Sequence, residues 1–361
     1  MKRKLALILV LCLLVGSVAG CGRGGNADGL NVAVFYYTYS DVYISTVRSA
    51  MDRLLTDAGV SFTNYDGASN QAQQTDQINT AISNGANLLV VNIVETSSDD
   101  AAMNAVEAAR TAGIPIIFFN REVSDAVVKS YDKCAFVGTD APEAGHMQGQ
   151  MIGEYLLQNY DNCDLNRDGV ISYVLLKGQE GNAEAEARTR FAVEDANGVL
   201  TTGGKKPLKF YNPGNTDGYL VDQNGSWSAA AATNYMDTIL AEYSESNRNM
   251  VELVIANNDD MAMGAVSALQ TAGYNKGDGR SVTIPVFGVD ATDAARQLID
   301  EGKMTGTIKQ DNEGMSQTIM TLVKNVQAGS DLMSGTGEYN VDEGVNKIRV
   351  PYGIYTGKQA G

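Results

Sequence analysis

From residue 30 onward, short apolar runs alternate with stretches in which apolar residues recur every three or four positions. The runs at 30–37, 59–65, 87–94, 114–120 and 135–137 predict buried strands. The stretches at 45–55, 71–84 and 101–112 predict helices, and Gly113 stands where a helix C-cap belongs. After Asp140 the pattern restarts, with strands expected at 171–178, 208–211, 252–256 and 284–289. Helices are expected at 184–197, 229–244, 260–272 and 291–301, and also within 141–157. Strand–helix alternation predicts parallel sheets with helices on both faces. The expected fold is α/β, with two doubly wound parallel-sheet lobes joined by a hinge.

An internal repeat supports two related halves. Ala105-Val106-x-Ala108-x-x-Thr111-Ala112-Gly113 matches Ala265-Val266-x-Ala268-x-x-Thr271-Ala272-Gly273 at every fixed position. Each copy follows an apolar strand and leads to an Ile-Pro strand ending in a polar residue, Asn120 or Asp290.

In open parallel sheets, ligands bind beyond the C-terminal ends of the strands. A cleft between two lobes would bring both sets of ends together, just after Tyr37, Phe119, Gly178, Ala256 and Val289. Asp41 and Tyr43 follow the first of these, and Asn120 the second. Asn182, Glu184 and Arg188 follow the third, Asn258 the fourth and Asp290 the fifth. Trp227, the only tryptophan, lies in a polar Asn-Gly-Ser-Trp-Ser stretch. Carboxylates accept paired hydroxyl hydrogen bonds, amides donate and accept, and guanidinium donates as a rigid fork. Aromatic faces suit a patch of C–H bonds. The set points to a small polyol or sugar, although an amino acid would also use Asp and Arg. Asp41 equally suits a helix N-cap, and Trp227 a half-buried surface position.

The 361 residues leave room for two domains. Forty-three acids against 27 bases give a formal charge of −16, which disfavours nucleic acid as a partner. His146, the single histidine, argues against His-dependent catalysis and reads as an ordinary helix position; Met261 and Met263 read as core packing. No Gly-x-Ser-x-Gly, phosphate-loop or Cys-His constellation occurs. An enzyme would have to be a glycosidase using carboxylates such as Asp41 and Glu184.

Lys2, Arg3 and Lys4 precede an apolar run too short to span a membrane, so residues 1–20 read as an export signal. Val18-Ala19-Gly20-Cys21 resembles a lipobox, which implies lipidation of Cys21, a tether over 21–29 and an exported, membrane-anchored location. Cys134 and Cys163 then remain, and the sequence leaves their pairing open.

The segments Val47-Arg48-Ser49-Ala50, Phe118-Phe119-Asn120, Val137-Gly138-Thr139-Asp140, Ala185-Glu186-Ala187-Arg188, Val254-Ile255-Ala256-Asn257-Asn258-Asp259 and Ile284-Pro285-Val286-Phe287-Gly288-Val289-Asp290 occur in this order. Together they resemble the bacterial galactose/glucose-binding proteins that feed ABC transporters and sugar chemotaxis. The resemblance runs from about Leu30 to Tyr352. It implies that Asp41 binds the sugar O4, that Tyr43 and Trp227 stack on opposite faces of the ring, and that Asn120, Arg188, Asn258 and Asp290 bind hydroxyls. Asn182 stands where the family has histidine, Glu184 where it has aspartate and Gln310 where it has asparagine, so the preferred hexose is open. The resemblance implies an N-terminal lobe of 30–139 plus 311–343 and a C-terminal lobe of 140–310 plus 344–361. It also implies a monomer, a permease partner and a possible chemoreceptor. A ribose or autoinducer binder is the nearest rival. A sugar-responsive repressor shares the fold but would need a helix-turn-helix before residue 30.

Asp164-x-Asn166-x-Asp168-Gly169-Val170-x-Ser172 follows the spacing of an EF-hand calcium loop, with a carbonyl offered at Val170. The twelfth position is Leu175, and a strand follows instead of a helix. The resemblance nominates Glu252 as the missing carboxylate and a structural Ca2+. Ser172 stands where the family usually has glutamine.

Overall fold

The computed structural model describes residues 29–357. The export signal, Cys21 and all but the last residue of the tether lie outside them. The first half runs β1 (Asn31–Tyr36), α1 (Val42–Asp57), β2 (Ser61–Asp66), α2 (Gln71–Ser83), β3 (Leu88–Val91), α3 (Asp100–Ala112), β4 (Ile116–Phe119), α4 (Asp125–Lys129) and β5 (Cys134–Gly138). The second runs α5 (Ala141–Cys163), β6 (Ser172–Lys177), α6 (Ala183–Thr202), β7 (Lys209–Phe210), β8 (Leu220–Val221), α7 (Ala229–Glu242), β9 (Leu253–Ala256), α8 (Asp259–Thr271), β10 (Val286–Asp290), α9 (Asp293–Asp300) and β11 (Gly306–Lys309). The chain ends with α10 (Asn312–Ala328), β12 (Asn340–Val341), β13 (Lys347–Arg349) and β14 (Gly353–Tyr355).

Two sheets result, each parallel except at one edge. The first has the order β12-β13-β5-β4-β3-β1-β2 and the second β14-β11-β10-β9-β6-β7, with β8 also on β6. The central strands β3, β4, β5 and β9 are apolar and buried throughout because both faces are covered. In β3, Leu88 and Val90 enter one core and Leu89 and Val91 the other. In β9, Leu253 and Ile255 face one core and Val254 and Ala256 the other. Each such side chain contributes about 1.5–3 kcal/mol by leaving water. The repeated segments are α3, which joins β3 to β4, and α8, which joins β9 to β10, each pair being neighbours in its sheet. Gly113 ends α3 at φ +72°, a conformation that glycine adopts without a Cβ penalty.

The chain passes between the sheets at 139–140, 310–311 and 350–352. The last passage differs from the 342–344 expected from the sequence. β13 still pairs with β5 through Arg349↔Gly138, so residues 344–349 belong with the first sheet. Lys347 and Arg349 disguise this strand as a polar loop. Lys347 is buried against Glu122 and Asp125, and Arg349 binds Glu122 and Asp342.

Cys134 and Cys163 are free and buried. Burial pushes the Cys134 thiol up to about 12 and Cys163 to about 11, so both stay protonated. His146 is half exposed on α5, 2.7 Å from Asp195 and stacked on Phe191.

Candidate functional site

The strand order reverses between β1 and β3 in the first sheet and between β6 and β9 in the second. One cavity lies where the loops beyond these switch points meet. It is lined by all ten residues expected at the site, Asp41, Tyr43, Asn120, Asn182, Glu184, Arg188, Trp227, Asn258, Asp290 and Gln310. Tyr37, Ile44 and Arg121, which the sequence reading did not select, complete the wall. About 370 Å³ of the space, mouth included, is free of protein atoms.

Three of these residues are helix N-caps, because parallel strands feed directly into helices. The Asp41 carboxylate accepts from Ile44 N at 2.8 Å and from the Tyr37 hydroxyl at 2.6 Å, so it caps α1 and also faces the cavity. Asn182 accepts from Ala185 N at the start of α6, and Asn258 from Met261 N at the start of α8. The Asn258 amide also donates to Trp227 O at 3.1 Å.

Trp227 is buried, not a surface residue, and takes φ +56°. Its ring lies on Gly178, where an added Cβ would come within 2.1 Å of the indole. Only glycine admits the tryptophan there. Tyr43 is also buried, with its hydroxyl 3.9 Å from the Met315 sulfur.

Arg188 donates to Asn257 O at 2.9 Å, Gln310 Oε1 at 3.2 Å and the Tyr352 hydroxyl at 3.0 Å. Glu184 Oε1 accepts from Glu122 N at 3.0 Å. Burial, reinforced by Glu122, raises the Glu184 carboxyl above the usual range. Asp290 ends β10 at φ +126°, a strained backbone for a non-glycine residue. Burial and the adjacent Asp259 hold the Asp290 carboxyl well above its ordinary value. Asp259 accepts from Thr292 N at 2.7 Å and from Thr307 Oγ1 at 2.6 Å.

Ten buried side-chain polar atoms lack a partner among the described residues, and five belong to this wall. They are Arg121 Nε, Glu184 Oε2, Arg188 Nε, Trp227 Nε1 and Gln310 Nε2. Four donors and one acceptor are thus held in one place without hydrogen bonds, each at a cost of about 1–3 kcal/mol.

Asn92 and Asn257 support the wall from behind. Asn92 Oδ1 accepts from Tyr37 N at 3.1 Å, and Asn257 Oδ1 from Gly178 N at 3.1 Å. Asn92 is the first residue after β3 and Asn257 the first after β9, and each bonds the first residue after the strand paired with it, β1 or β6. The repeat carried this signal, since the residue following Leu88–Val91 and that following Leu253–Ala256 are both asparagine.

The 164–172 loop lies at the opposite end of β6, about 20 Å away by strand rise over six residues. Glu252 reaches it as expected, accepting from Leu165 N, Asn166 N and Ser172 N. Asp164 accepts from Asp168 N and Gly169 N. The potential donors Asp164, Asn166, Asp168, Val170, Ser172 and Glu252 offer oxygen alone, which suits a hard cation. Among the described residues, however, no three acidic, histidine or cysteine side chains converge as a metal cluster.

Comparison with known proteins gives a family, a relative and two similar structures. The family model described as periplasmic binding protein domain matches residues 32–331. The D-galactose/methyl-galactoside binding periplasmic protein MglB of Haemophilus influenzae is 31% identical over 354 residues, covering 98% of this chain and 96% of that one. An ABC transporter solute binding protein from Clostridium phytofermentans with bound β-D-glucose superimposes with a TM-score of 0.69 at 22% identity, covering 90% and 94%. One from Bacillus halodurans with bound myo-inositol gives 0.67 at 23%, covering 92% and 96%. No helix of the described residues is long and apolar enough to cross a membrane.

Proposed function

The chain belongs to the periplasmic binding protein family, whose members bind substrates for ABC transporters and are not enzymes, and on that premise we propose that it binds a hexose, D-galactose or D-glucose, in the interlobe cavity. The observation that carries this reading is the set of five unpartnered buried polar atoms in one wall. A ring of vicinal hydroxyls accepts from the four donors and donates to Glu184 Oε2. Trp227 and Tyr43 supply the apolar faces. The relative whose name includes galactose supports the choice of hexose.

Binding would bridge the loops of both sheets and shift the population toward the closed form, which a permease would then accept. We extend the reading to export and lipid anchoring at Cys21, supported by the basic–apolar–small pattern of the leader. A structural Ca2+ in the 164–172 loop is supported by its all-oxygen donors and by Glu252 folding onto it. It would neutralise the loop carboxylates and stiffen the entry into β6.

The test is titration of the mature, sugar-free protein with glucose, galactose, ribose, xylose and myo-inositol, following Trp227 fluorescence and calorimetry. Saturation by glucose or galactose at low micromolar concentration is expected, as about −8 kcal/mol of binding would give. A response only to the pentoses or the cyclitol would overturn the hexose assignment.

A further inference from the structure

The Tyr352 hydroxyl does not line the cavity, yet it meets a residue that does. It accepts from Arg188 Nη2 at 3.0 Å and lies 2.7 Å from Thr139 Oγ1. The phenolic oxygen thus accepts the Arg188 proton and shares a hydrogen bond with the Thr139 hydroxyl, in which either oxygen can donate. All three side chains are buried.

The three belong to different parts of the hinge. Thr139 is the first residue after β5 and stands on the first-sheet side of its passage. Its carbonyl is pinned there by Arg349 Nη1 at 2.7 Å, and Arg349 is itself held by Glu122 and Asp342. Tyr352 is the last residue before β14 and stands on the second-sheet side. The same Arg188 Nη2 also reaches Gln310 at the remaining passage. One guanidinium of the cavity wall is therefore hydrogen-bonded to two of the three passages directly, and to the third through a single hydroxyl. Hinge rotation is absorbed by a few element-terminal residues such as these. It would change the Thr139–Tyr352 separation, because the two residues ride on opposite lobes.

We propose that Tyr352 is a positioning residue that couples Arg188 to the interlobe angle, so that the closed arrangement and the ligand-ready orientation of Arg188 are formed together. The coupling rests on the sugar-binding reading above. Thr139 is the more informative of the two positions to alter, because its hydroxyl and its methyl can be removed separately.

The experiment compares the wild type with Thr139→Val, Thr139→Ser and Tyr352→Phe by calorimetric titration with galactose and glucose. Small-angle scattering with and without sugar gives the change in radius of gyration, and circular dichroism checks folding. Valine keeps the shape and removes the hydroxyl, whereas serine keeps the hydroxyl and removes the methyl. Weakening of about tenfold, the worth of one buried hydrogen bond, is expected for Thr139→Val and Tyr352→Phe. Thr139→Ser should bind as the wild type does. The sugar-induced compaction should shrink in the two hydroxyl-deleted variants only. The opposite ranking, with serine impaired and valine intact, would assign Thr139 to packing and overturn the coupling. Wild-type affinity and compaction in both hydroxyl-deleted variants would overturn it too. A wild type that binds none of the sugars would instead overturn the functional reading, and the coupling with it.

Discussion

Arg121 donates from Nη2 to Oε1 of Gln179 at 2.6 Å, and the two residues come from loops of different sheets. The guanidinium is flattened over the Tyr37 ring at 4.2 Å and also donates to Val94 O at 3.0 Å. The bond from Glu122 N to Glu184 lies beside it and also joins the two halves. An opened cleft would lose these bonds, so they belong to the closed state. Gln179→Ala should speed sugar release by about tenfold, the value of one charge-assisted bond, with little change in association. Stopped-flow Trp227 fluorescence measures both rates. Unchanged release would remove the clasp from the closing mechanism.

Asp290 and Arg188 line one wall of the cavity. Asp290→Ala and Arg188→Ala should each weaken sugar binding at least about tenfold, because a hydrogen bond to a charged group contributes about 1.5–3 kcal/mol. Calorimetry gives the affinity and far-ultraviolet circular dichroism the fold. Wild-type affinity in both folded variants would refute the site.

Asp259 and Asp290 hold their protons to higher pH when folded than when unfolded, Asp259 from 3.8 up to about 7. Burial is the main cause for both; the Asp259 charge raises Asp290 further, whereas hydrogen bonds from Thr307 and Thr292 hold Asp259 back. Between these values the folded chain binds more protons than the unfolded one, so this pair's contribution to stability falls as pH rises. Asp259→Asn removes one ionisable group at constant shape. Its thermal stability relative to the wild type, measured without sugar, should therefore improve from pH 4 toward pH 7. A difference that does not vary with pH would contradict the assignment.

Asn92 links Tyr37 N, Phe119 O and Asn120 Oδ1 through one buried amide. Asn92→Ala leaves the Tyr37 backbone N–H unpaired at the end of β1, at about 1–3 kcal/mol, and removes one of the two donors to Phe119 O, which keeps Arg121 N. Urea unfolding should show a loss of at least about 2 kcal/mol, and Asn257→Ala a similar loss. A change below 0.5 kcal/mol, the usual size of a surface substitution effect, would show that the switch points do not need these asparagines.

If the 164–172 loop binds Ca2+, adding the ion should raise the melting temperature and a chelator should lower it, by mass action on the folded state. Glu252→Gln should abolish the shift while leaving the sugar affinity unchanged, because the loop lies at the far end of β6. No calcium-dependent shift in the wild type would leave the loop as a turn held by its own amides.

Much of this molecule is readable from local pattern. The apolar runs announced the central strands, since a strand covered on both faces has no polar position to hide. The repeat placed α3 and α8 at equivalent points, and the residues after the strand ends led to eight of the ten expected wall residues, Trp227 being singled out as the only tryptophan and Gln310 by the family resemblance. Short-range chemistry sufficed there, because parallel strands deliver their loops to one edge. Pattern failed where charge is neutralised at a distance. No apolar run marks the strand that carries Lys347 and Arg349, whose charges are met by Glu122, more than 200 positions away. It failed again at Arg121, Asn92 and Tyr352, whose roles depend on partners 58, 55 and 164 positions away. Periodicity records which face of an element meets water; only the folded chain decides which distant polar groups satisfy one another, because the cost of an unpaired buried group is settled by neighbours in space.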